Sequence, residues 1–196
     1  TMAEATSDLS NVHCCADIER FVYERVVLSD GETITGIDTV IFCTGYRYDF
    51  PFLSKSLLHH DGFRLAQLYR DLLHVDHPTL AFVGIPSLII PFPLFDAQSR
   101  WLNALWRGDL ITPSSEDKQA WLSRRDQGFE KTGLPPRAFH RLGERQMHYL
   151  TDLLFEAGEP PMPDWFAGAA KAAQSHRLRY ASNYRDQPFN PSSYPP

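Results

Sequence analysis

The chain has 196 residues, 43% of them hydrophobic and 13% aromatic, which is enough to bury the core of one domain or of parts of two. A net charge of -5, with acids and bases interspersed, leaves no electrostatic footprint for nucleic acid or anionic lipid. The apolar stretch from Leu80 to Phe95 is interrupted by Pro86, Pro91 and Pro93 and is too short to cross a bilayer, and no signal-peptide pattern opens the sequence. Three cysteines, Cys14, Cys15 and Cys43, make a poor disulfide framework, so a reducing compartment and a cytoplasmic location are expected.

Residues Thr1 to Ser10 are small and polar and read as a frayed lead-in. Loose alternation from Ile18 to Leu28, a turn at Asp30-Gly31 and a return from Thr33 to Ile37 predict a β-hairpin. The β-branched, nearly all-apolar run Thr39 to Cys43 suits a central strand covered on both faces and ending at Gly45. An irregular turn is expected at Asp49 to Leu53, an extended or hairpin segment at Leu65 to Leu73, and a second buried strand at Leu80 to Val83, stopped by Gly84-Ile85-Pro86.

After the proline-broken stretch Ser87 to Pro93, the spacing of Phe95, Trp101, Leu102, Leu105 and Trp106 predicts a helix from about Leu94 to Arg107, ended by Gly108. Ser114-Ser115-Glu116-Asp117 looks like the capped start of another helix reaching about Gln127. Further helices are expected over about Leu142 to Ala157 and Pro163 to Gln174, with Trp165 and Phe166 a buried helix start. The proline-bearing tail from Asn183 is expected to wrap the surface or stay disordered.

Taken in order, these residues carry a resemblance. Ile37-Asp38-Thr39-Val40-Ile41-Phe42-Cys43-Thr44-Gly45-Tyr46 with Tyr48 to Leu53 resembles the Ala-Thr-Gly-Tyr segment of flavin-containing monooxygenases, Cys43 standing in the alanine position. Leu80 to Pro86 and Pro91 to Trp101 are similar to that family's next strand and flavin-facing helix. His140 to Gly143, Gln146, Tyr149, Ala157 to Pro161 and Tyr184 to Asp186 look like the C-terminal region of its S-oxygenating branch. The Phe95 to Gln98 helix and this C-terminal region disfavour a Baeyer-Villiger monooxygenase or a disulfide reductase.

The resemblance implies an α/β fold, the C-terminal portion of a flavoprotein with two dinucleotide-binding, Rossmann-like domains and a helical C-terminal region. Residues 1-46 would end the NADPH-binding domain, 47-112 belong to the FAD-binding domain, 113-182 form the helical region and 183-196 a tail. It further implies FAD and NADPH as cofactors, and a small sulfur- or nitrogen-containing substrate oxygenated through a flavin hydroperoxide. Because the flavin carries the hard chemistry, no catalytic side chain is expected here.

Thr44 and Gly45 would bring bare backbone to FAD, the helix opening near Leu94 would aim unpaired N–H groups at the flavin, and Phe95 and Gln98, three apart, would both reach it. Read without the resemblance, Gly45 is a strand stop, Phe95 core and Gln98 a satisfied amide. None of the eleven glycines forms G-x-G-x-x-G, so both phosphate loops are expected upstream of Thr1, and the chain alone is expected to be inactive. A binding or structural remnant of the fold without bound FAD is the alternative. His74 and His77 are spaced like loose metal ligands, but no further His/Cys cluster completes a site and a turn is the expected role.

Overall fold

A computed structural model describes residues 10–180 and 183–193. The chain divides into two compact units, one formed from Thr1–Gly45 and Gly168–Pro196, the other from Tyr46–Ala167.

In the first unit, β1 (Ile18–Val22), β2 (Arg25–Leu28) and β3 (Thr33–Thr35) form an antiparallel meander in that order. The expected hairpin is therefore one strand richer. Val22 faces Arg25 across a two-residue turn, which Tyr23 enters at φ 44. Alternation alone cannot reveal a turn that lacks glycine or proline. The Asp30-Gly31 turn is found where the sequence puts it, with Leu28 N–H bonded to Glu32 O at 2.9 Å.

The run Thr39 to Cys43 has no regular secondary structure and joins no strand among the described residues, which corrects the central-strand expectation. Ile41 is 80% exposed and Phe42 74%, so neither face is covered. Propensity for sheet records a side chain that packs well on a pleated surface, and it needs neighbouring strands to take effect. Cys14, Cys15 and Cys43 are all exposed. Near the C-terminus, the ring of buried His176 packs against Tyr180 and Phe189 and lies 3.0 Å from Tyr184 O, so the described part of the tail is folded back.

The second unit has two small apolar cores. Leu58, Leu65, Leu68, Phe82 and Ile85 make one, with Tyr48 and Phe50 packed on it. The larger gathers Tyr69, Leu72, Leu73, Trp101, Leu105, Leu150 and Leu153 among others. Between them runs a hairpin of β4 (Leu68–Tyr69) and β5 (Leu73–His74), whose tight turn holds Arg70 and Asp71 at φ 55 and 52. Leu80 to Val83, expected to be a strand, reduces to one bridge between Ala81 and Leu73. Only Phe82 is buried there; Leu80 and Ala81 are half-buried and Val83 is exposed.

Helix α1 spans Pro91–Arg107, three residues earlier than the expected start. Pro91 sits at its first position, where a fixed φ helps and the missing N–H costs nothing. Gly108, at φ 82, closes it by donating to Ala104 O and Leu105 O. Helix α2 (Ser115–Glu130) opens on the expected cap: Ser114 Oγ accepts Asp117 N–H, and Asp117 reciprocates to Ser114 N–H. Helix α3 (Gln146–Glu156) packs along α1 and follows a 3-10 turn at Gly143–Arg145, so it starts one turn later than the expected Leu142. Helix α4 runs Trp165–Arg179, longer than expected, and Trp165 is exposed rather than buried.

Candidate functional site

The residues singled out by sequence fall in both units. Thr44 and Gly45 belong to the first and are exposed; Gly45 has φ 91, and a Cβ built on it would meet nothing within 4 Å. Its backbone is bare, and a side chain there would be strained by φ alone. Leu94, Phe95 and Gln98 belong to the second, on α1, with Leu94 fully buried and Phe95 half-buried.

Helix α1 does not open at Leu94 onto a row of unpaired donors. Its first three positions are Pro91, Phe92 and Pro93, so only Phe92 contributes a first-turn N–H. The residue before the helix is clasped from α3: Ile90 N–H donates to Gln146 Oε1 at 2.8 Å, and Gln146 Nε2 donates to Ile90 O at 3.1 Å. Gln146, itself buried, replaces the absent side-chain cap with a two-way amide bond.

Gln98 is 0% exposed, and both ends of its amide are engaged. Gly84 N–H donates to Oε1 at 2.9 Å, Nε2 donates to Tyr149 Oη at 2.7 Å, and Tyr149 O–H donates to Arg70 O at 2.8 Å. This chain of bonds joins the Gly84 bend, α1, α3 and the β4–β5 turn. Burial pushes the Tyr149 hydroxyl well above the usual tyrosine range, against the opposing effect of the Gln98 donor. Gly84 has φ 89, and a Cβ there would lie 2.8 Å from Phe95 Cε1, so the glycine admits the ring.

Around the same turn lies a cluster that the sequence did not announce. Arg125 Nη1, on α2, is 2.8 Å from Asp71 Oδ1, and its guanidinium also donates to Leu68 O and Ala66 O. His140 Nε2 accepts Leu65 N–H at 3.0 Å, which places the imidazole proton on Nδ1. That Nδ1 is 3.0 Å from Asp71 Oδ1 but lacks a well-directed hydrogen bond, so the contact is chiefly electrostatic. Arg70 pairs with Glu156, whose other oxygen accepts Trp101 Nε1–H at 2.9 Å. The only sequence signal for this cluster was an Asp, an Arg and a His placed among core residues.

His74 is equally committed. Its Nε2 lies 2.6 Å from Leu57 O, while Nδ1 accepts the N–H groups of Asp76 and His77, so no lone pair is left for a metal. Burial is the main reason its pKa is lowered. Among the described residues, no group of three or more His, Cys, Asp or Glu is placed to hold a metal ion, and no helix is long and apolar enough to cross a membrane.

The fold is similar to those of solved structures. S-allyl-L-cysteine S-oxygenase from Allium sativum superposes with a TM-score of 0.80 at 30% identity, over 90% of this chain and 40% of that one. Tmm from a Pelagibacter species shares the fold, with a TM-score of 0.65 at 23% identity over 84% of this chain and 37% of the other. The flavin-binding monooxygenase-like family model matches residues 8–163, and the chain belongs to that family. Its relatives include S-oxygenase-type members: flavin-containing monooxygenase FMO GS-OX-like 3 of Arabidopsis thaliana is 33% identical over 83% of this chain and 36% of its own length. FMO GS-OX3 of the same plant is 33% identical over 83% and 35%. The chain thus spans little more than a third of the curated relatives it matches.

Family membership implies a flavin. The described residues fit one edge of such a group and not its whole length. Bare backbone at Gly45 suits close approach to a flat ring. The sequence has no glycine-rich turn to cradle a diphosphate, and the Gln98 amide is already used by Gly84 and Tyr149.

Proposed function

We propose that this chain is the C-terminal part of an FAD- and NADPH-dependent monooxygenase that oxygenates a soft nucleophile, sulfur before nitrogen, and that it works with an N-terminal portion carrying both phosphate-binding loops. Bound flavin would supply oxygen activation. This chain would supply the return strand between two Rossmann-like domains and, at its end, the Thr44-Gly45 backbone that approaches the cofactor. Cytoplasmic location goes with this reading.

The observation that carries it is the strip Ile37 to Tyr46. Ile41, Phe42 and Tyr46, the last 99% exposed, lie in a segment that has the residues of a buried central strand and, among the described residues, no strand partner. Exposed apolar residues in a row mark a surface that another element covers. The family match over residues 8–163 includes this strip and supports reading it as part of a flavin-binding monooxygenase-like fold.

The test compares the isolated chain with the protein expressed from its complete open reading frame. Visible flavin absorbance, NADPH oxidation dependent on a thioether, and amide-exchange protection of Ile37 to Tyr46 are expected only in the complete protein. A complete protein that binds no FAD, or leaves those amides as open as in the isolated chain, overturns the reading. A non-catalytic module is the second reading, favoured by the closed apolar core that Tyr46–Ala167 builds from its own residues. It gains if the complete protein folds but remains colourless.

A further inference from the structure

A cleft of about 380 Å³ opens on the second unit between the α1–α2 loop, the exposed face of α2 and the end of α3. Its wall is held at both ends. Asp109 and Leu110 donate to Ala104 O behind the Gly108 cap, and the Ser114–Asp117 capping box fixes the other side. A loop fastened this way presents its groups without first having to be ordered.

The polar groups of the cleft fall into two sets. Two are largely committed: Glu156 accepts from Arg70 and from Trp101, and Asp117 Oδ2 accepts from Ser114 N–H and Oγ–H. The other set consists of donors. Arg124 is exposed and forms no ion pair or hydrogen bond among the described residues, and neither do the N–H groups of Ile111 and Thr112 or the Thr112 hydroxyl. Ile111, 91% exposed, lines the cleft together with half-buried Leu110 and buried Tyr69. An uncommitted guanidinium fork suits a planar carboxylate, and an aliphatic lip left in water suits a short apolar chain.

We propose that this cleft binds a small monocarboxylate carrying a short apolar chain, with Arg124 and the Ile111-Thr112 donors at the carboxylate and Ile111, Leu110 and Tyr69 along the chain. Asp117 also lines the cleft, and its carboxylate makes dianions poorer ligands than monoanions. The proposal does not rest on the oxygenase reading.

The probes are hexanoate, neutral hexanamide and the dianion adipate, titrated against the full chain by calorimetry and by amide chemical shifts of residues 109 to 124. Hexanoate is expected to bind in the millimolar range, about tenfold tighter than hexanamide, since one charge-assisted contact contributes roughly that factor. Arg124→Gln is expected to weaken hexanoate about tenfold and leave hexanamide unchanged, and Ile111→Ser to weaken both. Both side chains are exposed, so circular dichroism should show the variants folded. The proposal is overturned if hexanoate does not bind at ~10 mM, a concentration at which millimolar affinity saturates the site. Equal binding of hexanoate by Arg124→Gln, or binding of adipate tighter than hexanoate, overturns it as well.

Discussion

Replacing Gln98 by leucine tests whether its amide holds the fold or serves a ligand. The substitution keeps an apolar volume in a fully buried place, but it leaves Gly84 N–H without its 2.9 Å acceptor and Tyr149 Oη without its 2.7 Å donor. An unsatisfied buried group costs about 1–3 kcal/mol, so a loss of roughly 2–3 kcal/mol is expected. Tyr149→Phe orphans Gln98 Nε2–H and Arg70 O and should cost a similar amount. The bond between the two side chains is lost in each single variant, so the double variant should be milder than the sum by about 1–2 kcal/mol. Urea unfolding followed by fluorescence of buried Trp101 reads these values, 2 kcal/mol moving the midpoint by about 1 M. Strict additivity would refute the network. Unchanged stability with lost flavin binding in the complete protein would return Gln98 to the cofactor.

Gly84→Ala combines a left-handed φ of 89 with a 2.8 Å approach to Phe95 and should cost about 1–3 kcal/mol; Phe95→Leu in the same chain should relieve only the contact, which thermal unfolding will resolve. Arg125→Met strips the buried Asp71 carboxylate of its main partner and should cost about 3–5 kcal/mol, whereas adding Asp71→Asn should recover part of it. Stability should also bend with pH at both ends. Tyr149 keeps its proton in the folded state while unfolded tyrosine ionises near pH 10, so stability falls as pH rises past about 10, and less steeply in Tyr149→Phe. Burial makes His74 harder to protonate in the folded state than in the unfolded chain, so stability falls as pH drops below about 6.5, and a His74→Gln profile should be flatter there.

What could be read from the sequence was local. Ser114 and Asp117 lie three residues apart and cap a helix whatever surrounds them, and Gly108 ends α1 by its own backbone freedom. Pro91 was misread because proline both breaks helices and begins them, and only the chain before it decides which. Thr39 to Cys43 was misread because its strand propensity needs neighbours to become a strand. The Arg125–Asp71–His140 contacts join residues far apart along the chain, where no spacing rule applies. Of the candidate residues, Thr44, Gly45, Leu94, Phe95 and Gln98 came from family resemblance; the amide bonds of Gln98 and Gln146 became visible only with coordinates.

The turn at Arg70-Asp71 is gripped from four directions: Tyr149 on a carbonyl, Glu156 on one side chain, and Arg125 and His140 on the other. Such a turn has no slack. One residue added there would displace every partner at once, since each grip is set to a particular register of the hairpin. Lineages related to this chain are therefore expected to vary in length elsewhere, as in the exposed stretch from Ser54 to Ser56, and to keep the count between Leu68 and His74 constant.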